Sequence, residues 1–142
     1  MPSYDATNTN NSKRVNRIYK DLDLDFGRNV VTNDVNKLTD AEAVKRSVRN
    51  LINTNHFERP FHPEIGSNLR AMLFEPVTPL TALNIQRKIE EVISRYEPRA
   101  KLVQILARPD IDRNAYNVSI SFYVIGIPGP ATTVETFLER LR

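Results

Sequence analysis

The spacing of apolar residues changes once, sharply, at Pro98. Before it, Ala82, Ile85, Ile89, Val92, Ile93 and Tyr96 recur every three or four residues, forming one stripe of an amphipathic helix. After it, Tyr116, Val118, Ile120, Phe122 and Val124 alternate with Asn117, Ser119 and Ser121, the period of a half-buried strand. Proline pushes its preceding residue out of the helical region, so the helix must stop at Glu97-Pro98-Arg99. A chain that exchanges one period for the other in so few residues has to pack helices on a sheet. The fold class is α+β: two or three helices on a small, mostly antiparallel sheet.

Other boundaries follow from local chemistry. Thr78 caps the long helix, and Pro79 occupies its first turn, where no amide donor is needed. Glu91 and Arg95 have the spacing of an i,i+4 ion pair on its wet face. An earlier helix opens at Thr39-Asp40-Ala41-Glu42, which has the pattern of a capping box. Its apolar face is Ala41, Val44, Val48, Leu51 and Ile52, and it should end near residues 53–55 with an asparagine in a left-handed cap. A loop from His56 to Gly66 contains Pro60 and Pro63, and a short helix is expected over about 67–74.

Three further segments read as extended. Leu22, Leu24 and Phe26 alternate with Asp21, Asp23 and Asp25, an acidic-faced strand that Gly27-Arg28-Asn29 could turn into a second one at Val30-Val31. Lys101 to Ala107 is apolar on both faces, through Leu102, Val103, Ile105 and Leu106, and should be a central strand. At the C-terminus, Val134, Phe137, Leu138 and Leu141 have helical spacing, while Thr132, Thr133 and Val134 favour a strand.

Composition then excludes several function classes. The 142 residues contain no cysteine, which removes disulfides, thiol nucleophiles and thiolate metal sites. No apolar run is long enough to span a membrane, and Met1 to Lys20 lacks the apolar centre of a secretion signal. The net charge is only +3. Lys13, Arg14, Arg17 and Lys20, with Tyr19, form a modest basic run, but Asp21, Asp23 and Asp25 follow at once and offset it. No nucleic-acid partner is expected. Residues 1–16 read as a flexible polar arm, and 17–142 as a single domain.

Catalytic patterns are weak. His56 and His62 are too few for a metal centre, and the four glycines form no phosphate-binding loop. No cofactor or metal is expected. A glycoside hydrolase needs a carboxylic acid of raised pKa and a second carboxylate; Glu97, Glu75, Glu64 and Glu58 are candidates, and a lysozyme-like, peptidoglycan-cleaving reading would use Glu97. Yet Arg99 stands two residues on, and residues i and i+2 of extended backbone point the same way. A guanidinium there lowers the carboxyl pKa, the wrong direction for a general acid. Glu97 and Arg99 read instead as an ion pair at the helix-to-strand corner, with spare arginine donors for another protein.

These residues, in this order, resemble a known family. The amphipathic helix over 43–52, then Thr54, Glu58-Arg59, Phe61, Pro63, Gly66, Leu69, Leu73-Phe74-Glu75 and finally Tyr96-Glu97-Pro98-Arg99 are similar to the small baseplate wedge proteins of contractile phage tails, which are related to a baseplate component of type VI secretion systems. The resemblance covers about residues 22 to 142. One departure is Phe57, where the family usually has glycine before its Glu-Arg pair; Asn55 is expected to supply the left-handed cap instead.

The resemblance implies a non-enzymatic part of the virion tail baseplate, assembled in the host cytoplasm, that starts polymerisation of the tail sheath. It implies strand pairing with the sheath protein through Thr133, Val134, Glu135, Thr136, Phe137 and Leu138. It implies docking onto other wedge subunits through Glu97, Pro98 and Arg99, with tail tube or hub proteins as more distant partners. It also decides the C-terminus in favour of an extended segment. The Gly-Pro-rich stretch 126–130 would let that segment reach out of the domain, so residues 131–142 should be dispensable for folding.

Overall fold

A computed structural model describes residues 18–139; the arm expected over 1–16 lies outside the described residues. The long helix, α3 (Pro79–Tyr96), begins and ends where the sequence places it. The Thr78 hydroxyl accepts the Thr81 amide at 3.2 Å, Pro79 fills the first turn, and Glu97 is the C-cap. Its stripe of Ile85, Ile89 and Ile93 is fully buried. Each such isoleucine contributes roughly 1.5–3 kcal/mol by leaving water. On the wet face Glu91 pairs with Lys88 at 3.0 Å, one turn back, in place of the expected pairing with Arg95.

The earlier helix, α1 (Asp40–Asn53), buries Ala43, Val44, Val48, Leu51 and Ile52. The capping box does not form, since the Thr39 side chain makes no capping bond to the helix. Asp40 is turned outwards at φ +52, and its carboxylate accepts the amides of Ile18 and Tyr19 at 2.9 and 3.3 Å. Glu42, the acid of the expected box, pairs with Lys45 at 3.6 Å. The short helix α2 is a single turn, Leu69–Met72, with Leu69 buried.

Three strands form an antiparallel sheet in the order β3-β4-β5: β3 (Ala100–Asp110), β4 (Ala115–Val124) and β5 (Thr132–Glu139). β4 is central, and Tyr116, Val118, Ile120 and Phe122 pack its inner face against α1 and α3. β3 is an edge strand, contrary to the expectation for Lys101–Ala107. The cause is a bulge. Leu102 faces Phe122 and Ile105 faces Ile120, with the register shifting between Leu102 and Gln104. One extra residue reverses the parity of the strand, so inward residues on either side of it read as two apolar faces.

β5 settles the C-terminal segment as a strand, with Val134 opposite Ile120 and Leu138 opposite Tyr116. Both are buried. A separation of four residues suits a helical stripe, but it is also an even number, so both side chains reach one face of a strand. The segment folds back onto β4 and completes the core. It does not reach out, and with Val134 and Leu138 in the core, deleting residues 131–142 would remove part of that core.

A second sheet pairs β1 (Lys20–Leu22) with β2 (Lys37–Thr39), Lys20 opposite Thr39. The expected partner Val30-Val31 instead forms an exposed turn, in which the Asn29 side chain accepts the Val31 and Thr32 amides. Leu22, Leu24 and Phe26 are more than half exposed rather than core-facing. Their alternation with aspartate marks no buried face.

Candidate functional site

The helix-to-strand corner concentrates the buried charge. Pro98 stops α3, and Glu97 stands at the last helical amide, donating to Ile93 O at 2.9 Å. The Ala100 amide returns to Glu97 O at 3.1 Å and starts β3. This tight turn directs the side chains of Glu97 and Arg99 to the same side. Arg99 Nε donates to Glu97 Oε1 at 2.6 Å, and Arg99 Nη2 donates to Glu97 Oε2 at 2.8 Å. The ion pair expected at this corner is present as a two-bond fork, built on a turn and not on the extended backbone from which it was read.

Two residues that sequence reasoning did not place here complete the corner. The Ser47 hydroxyl, on α1, donates to Glu97 Oε2. The guanidinium of Arg99 lies over the Tyr19 ring, 5.5 Å from its centre, a cation–π contact. Tyr19, read from sequence with the basic run, is held by its hydroxyl on Ile125 O at 2.8 Å and by Asp40 at its amide. Ile125 in turn donates its amide to Arg99 O at 2.9 Å. The signal for Ser47 was a small polar residue beside the apolar stripe of α1; Tyr19 carried no local signal, because its role depends on a contact across 80 residues of chain (Tyr19 to Arg99).

The electrostatics follow. Glu97 is 3% exposed. Burial pushes its carboxyl pKa up, but the hydrogen bonds from Arg99 and Ser47 outweigh it and hold the group below the usual carboxylate range. The Glu97 hydrogen bond and charge push Arg99 up. Glu97 is thus an ionised acceptor whose lone pairs are occupied. It has neither the raised pKa nor the freedom of a general acid. Arg99 is different: its side chain is 30% exposed, and Nη1 makes no hydrogen bond among the described residues. It can offer donors to an incoming carbonyl or carboxylate. Pro98 is exposed beside it. An adjoining groove of about 520 Å³ is lined by Asp21, Ser47, Asn50, Asn53, Arg59 and Tyr96.

The second predicted group lies on β5 and splits by parity. Thr133, Glu135 and Phe137 are exposed on the outer face, Val134 and Leu138 belong to the core, and Thr136 is half-buried. Ala100 pairs with Val124, and Phe122 pairs with Thr132. Arg99 and Thr133 therefore sit at the same end of the sheet but on opposite margins. His56 and His62 do not converge on further ligands among the described residues; the His62 ring lies against Glu64, at 3.3 Å. No group of three or more metal-binding side chains occurs among the described residues. No described helix is long and apolar enough to cross a membrane.

Residue 57 corrects the expected loop geometry. Phe57 itself takes the left-handed conformation, at φ +68, while Asn55 does not. The loop keeps the backbone a glycine would adopt, and Asn55 instead clasps Glu58, its amide and side chain donating to the carboxylate at 2.9 and 2.6 Å.

Comparison with known proteins agrees with this architecture. The family model "Baseplate wedge protein gp25" matches residues 38–128. The baseplate wedge protein gp25 of Enterobacteria phage T4 is 35% identical over 118 residues, spanning 80% of this chain and 86% of that one. The chain belongs to the gp25 family of baseplate wedge proteins. It is a structural component of a contractile-tail baseplate. A chain of the anti-feeding prophage baseplate superimposes with a TM-score of 0.68 at 28% identity, over 77% of this chain and 87% of that one. A candidate tail lysozyme from Geobacter sulfurreducens superimposes with a TM-score of 0.66 at 20% identity, over 74% and 96% of the two chains. That likeness is one of fold.

Proposed function

We propose that this wedge protein starts tail-sheath assembly without catalysis, by pairing β5 with a strand of the sheath protein while Glu97, Pro98 and Arg99 seat it on neighbouring wedge subunits. The observation that carries this reading is the position of β5. It ends the β3-β4-β5 order and is registered on β4 along one side only, from Thr132 to Glu139. Every second residue of such an edge strand turns its N–H and C=O away from the sheet, a template for another strand. Tail tube and hub proteins are more distant neighbours in this scheme, and assembly takes place in the host cytoplasm.

The Glu97 corner supports the same reading. Its carboxylate is locked, and the donors left over belong to Arg99. A peptidoglycan-cleaving role needs the opposite arrangement, an acid with a raised pKa facing open space.

Deleting β5 is a poor test, because Val134 and Leu138 hold the core. Proline scanning is better. Glu135 and Thr136 are adjacent, so one turns its N–H to β4 and the other to the open margin. Of Glu135→Pro and Thr136→Pro, the variant with the outward N–H should keep its thermal melt and fail to support sheath growth on purified baseplates. Normal growth with that folded variant rejects strand pairing at β5. Clearing of cell-wall fragments by the wild type, lost in Glu97→Gln, would overturn the non-enzymatic assignment.

A further inference from the structure

We infer that the opposite margin of the sheet, β3, is a second strand-binding edge, and that it takes an extended segment bearing acidic side chains. This goes beyond the pairing at β5 and does not depend on it. The β3 edge is the longer of the two, 11 residues against 8. A groove of about 390 Å³ runs between it and α3. Its α3 wall carries Leu83, Arg87 and Glu90, and its strand wall carries Val103 and Gln104. Leu83 is 42% and Val103 54% exposed, an apolar floor left open to water. The bulge at Val103 causes this, by turning an apolar residue out of the core into the groove.

Charge identifies the occupant. Lys101 and Arg108 are exposed on the outer face of β3, one near each end, and Arg87 lines the groove on the α3 side, so an added strand meets a cation on both of its faces. None of the three side chains has a hydrogen bond or ion pair among the described residues, and Glu90 is the one carboxylate among the groove's lining residues. Asp110, at the strand's end, accepts the Arg113 amide in the turn at 3.3 Å. β5 is the reverse. Glu135 and Glu139 are exposed, and the strand has no lysine or arginine. Side chains directly opposite on neighbouring strands stand about 5 Å apart, so opposite charges there attract and like charges repel. An acidic strand is accepted along β3 and refused along β5.

The test uses two blocked peptides, one alternating valine with glutamate and one alternating valine with lysine, titrated against the full chain and followed strand by strand through amide hydrogen exchange. At β3 the glutamate peptide should bind about tenfold more tightly than the lysine peptide, the effect of two or three favourable cross-strand charge pairs. Arg87→Glu, Lys101→Glu and Arg108→Glu together should abolish that preference at β3, all three positions being exposed. Glu135→Lys with Glu139→Lys should leave the preference at β3 unchanged, whatever it does at β5. Equal protection of the β3 amides by both peptides, protection by neither, or a β3 preference lost with the β5 pair instead of the β3 set overturns the inference. None of these outcomes bears on sheath growth with the β5 proline variants, so the two proposals fail separately.

Discussion

Glu97 and Arg99 hold each other through two hydrogen bonds of 2.6 and 2.8 Å across the proline that separates them. The pair sits where α3 becomes β3. It therefore fixes the angle between helix layer and sheet, as well as presenting a guanidinium to the surface. The two roles are coupled: whatever orients Arg99 for a partner also holds the corner of the fold.

Removing the charge of Glu97 should make the protein less stable and less sensitive to acid. The folded-state pKa of Glu97 lies below its ordinary value of 4.5: burial opposes ionisation, and the Arg99 and Ser47 bonds more than offset it. Its stabilisation is therefore complete above the unfolded value and is lost as pH falls through the folded one. Glu97→Gln should lower urea-unfolding stability by about 2 kcal/mol at pH 7. The difference from wild type should shrink as the pH is taken below about 4. A constant difference down to pH 3 would show that the carboxylate charge is not what stabilises the corner.

Arg99→Lys keeps the charge and loses the shape. A lysine cannot make two parallel bonds to Glu97, and it stacks less well on Tyr19. The expected cost is about 1–2 kcal/mol in urea unfolding. Tyr19→Leu should cost less, because the Glu97 pair remains, and the Arg99→Lys and Tyr19→Leu effects should not add. Full additivity in the double variant would separate the stack from the ion pair.

The period change at Pro98, the cap at Thr78 and the long strand β4 were legible because each is set by neighbours in sequence. The Glu97–Arg99 pair was legible for the same reason, since two residues on one short turn need no tertiary information. The edge position of β3 was not, because a single bulged residue at Val103 inverts the parity on which the reading rests. Nor was the failure of the Thr39 capping box, because the first turn of α1 takes a left-handed step at Asp40, whose carboxylate binds amides about 20 residues away. Ser47 and Tyr19 join the site only once α1 and the N-terminal segment have packed, which no local pattern reports.

Parity along β5 separates folding from binding. Val134→Ala removes two methyl groups from a site with no exposure, opposite Ile120, and should cost about 2 kcal/mol. Phe137→Ser, at a position 43% exposed, should cost less than about 1 kcal/mol. Chemical denaturation of the two variants checks the difference. If Phe137→Ser proved the more damaging, the inward face of β5 would be misassigned.

The loop at residues 55–66 offers the reverse case, a stabilising substitution. Phe57 is 85% exposed and buries little, yet it holds φ +68, which costs a non-glycine residue roughly 1–2 kcal/mol. Glycine removes that strain and returns part of the gain through the greater freedom of the unfolded chain. Phe57→Gly should therefore raise stability by about 0.5–1 kcal/mol in urea unfolding. Gly66, at the other end of the loop, allows no such exchange. Its φ is +148, and a Cβ there would meet backbone atoms of Thr54 and Asn55 at 2.7–2.8 Å. Gly66→Ala should destabilise by about 3 kcal/mol, because the obstacle is main chain and cannot rotate aside. Opposite signs at the two positions would confirm that the backbone of this loop, and not its side-chain contacts, sets its conformation; a loss of stability in Phe57→Gly would mean that the exposed ring contributes to folding after all.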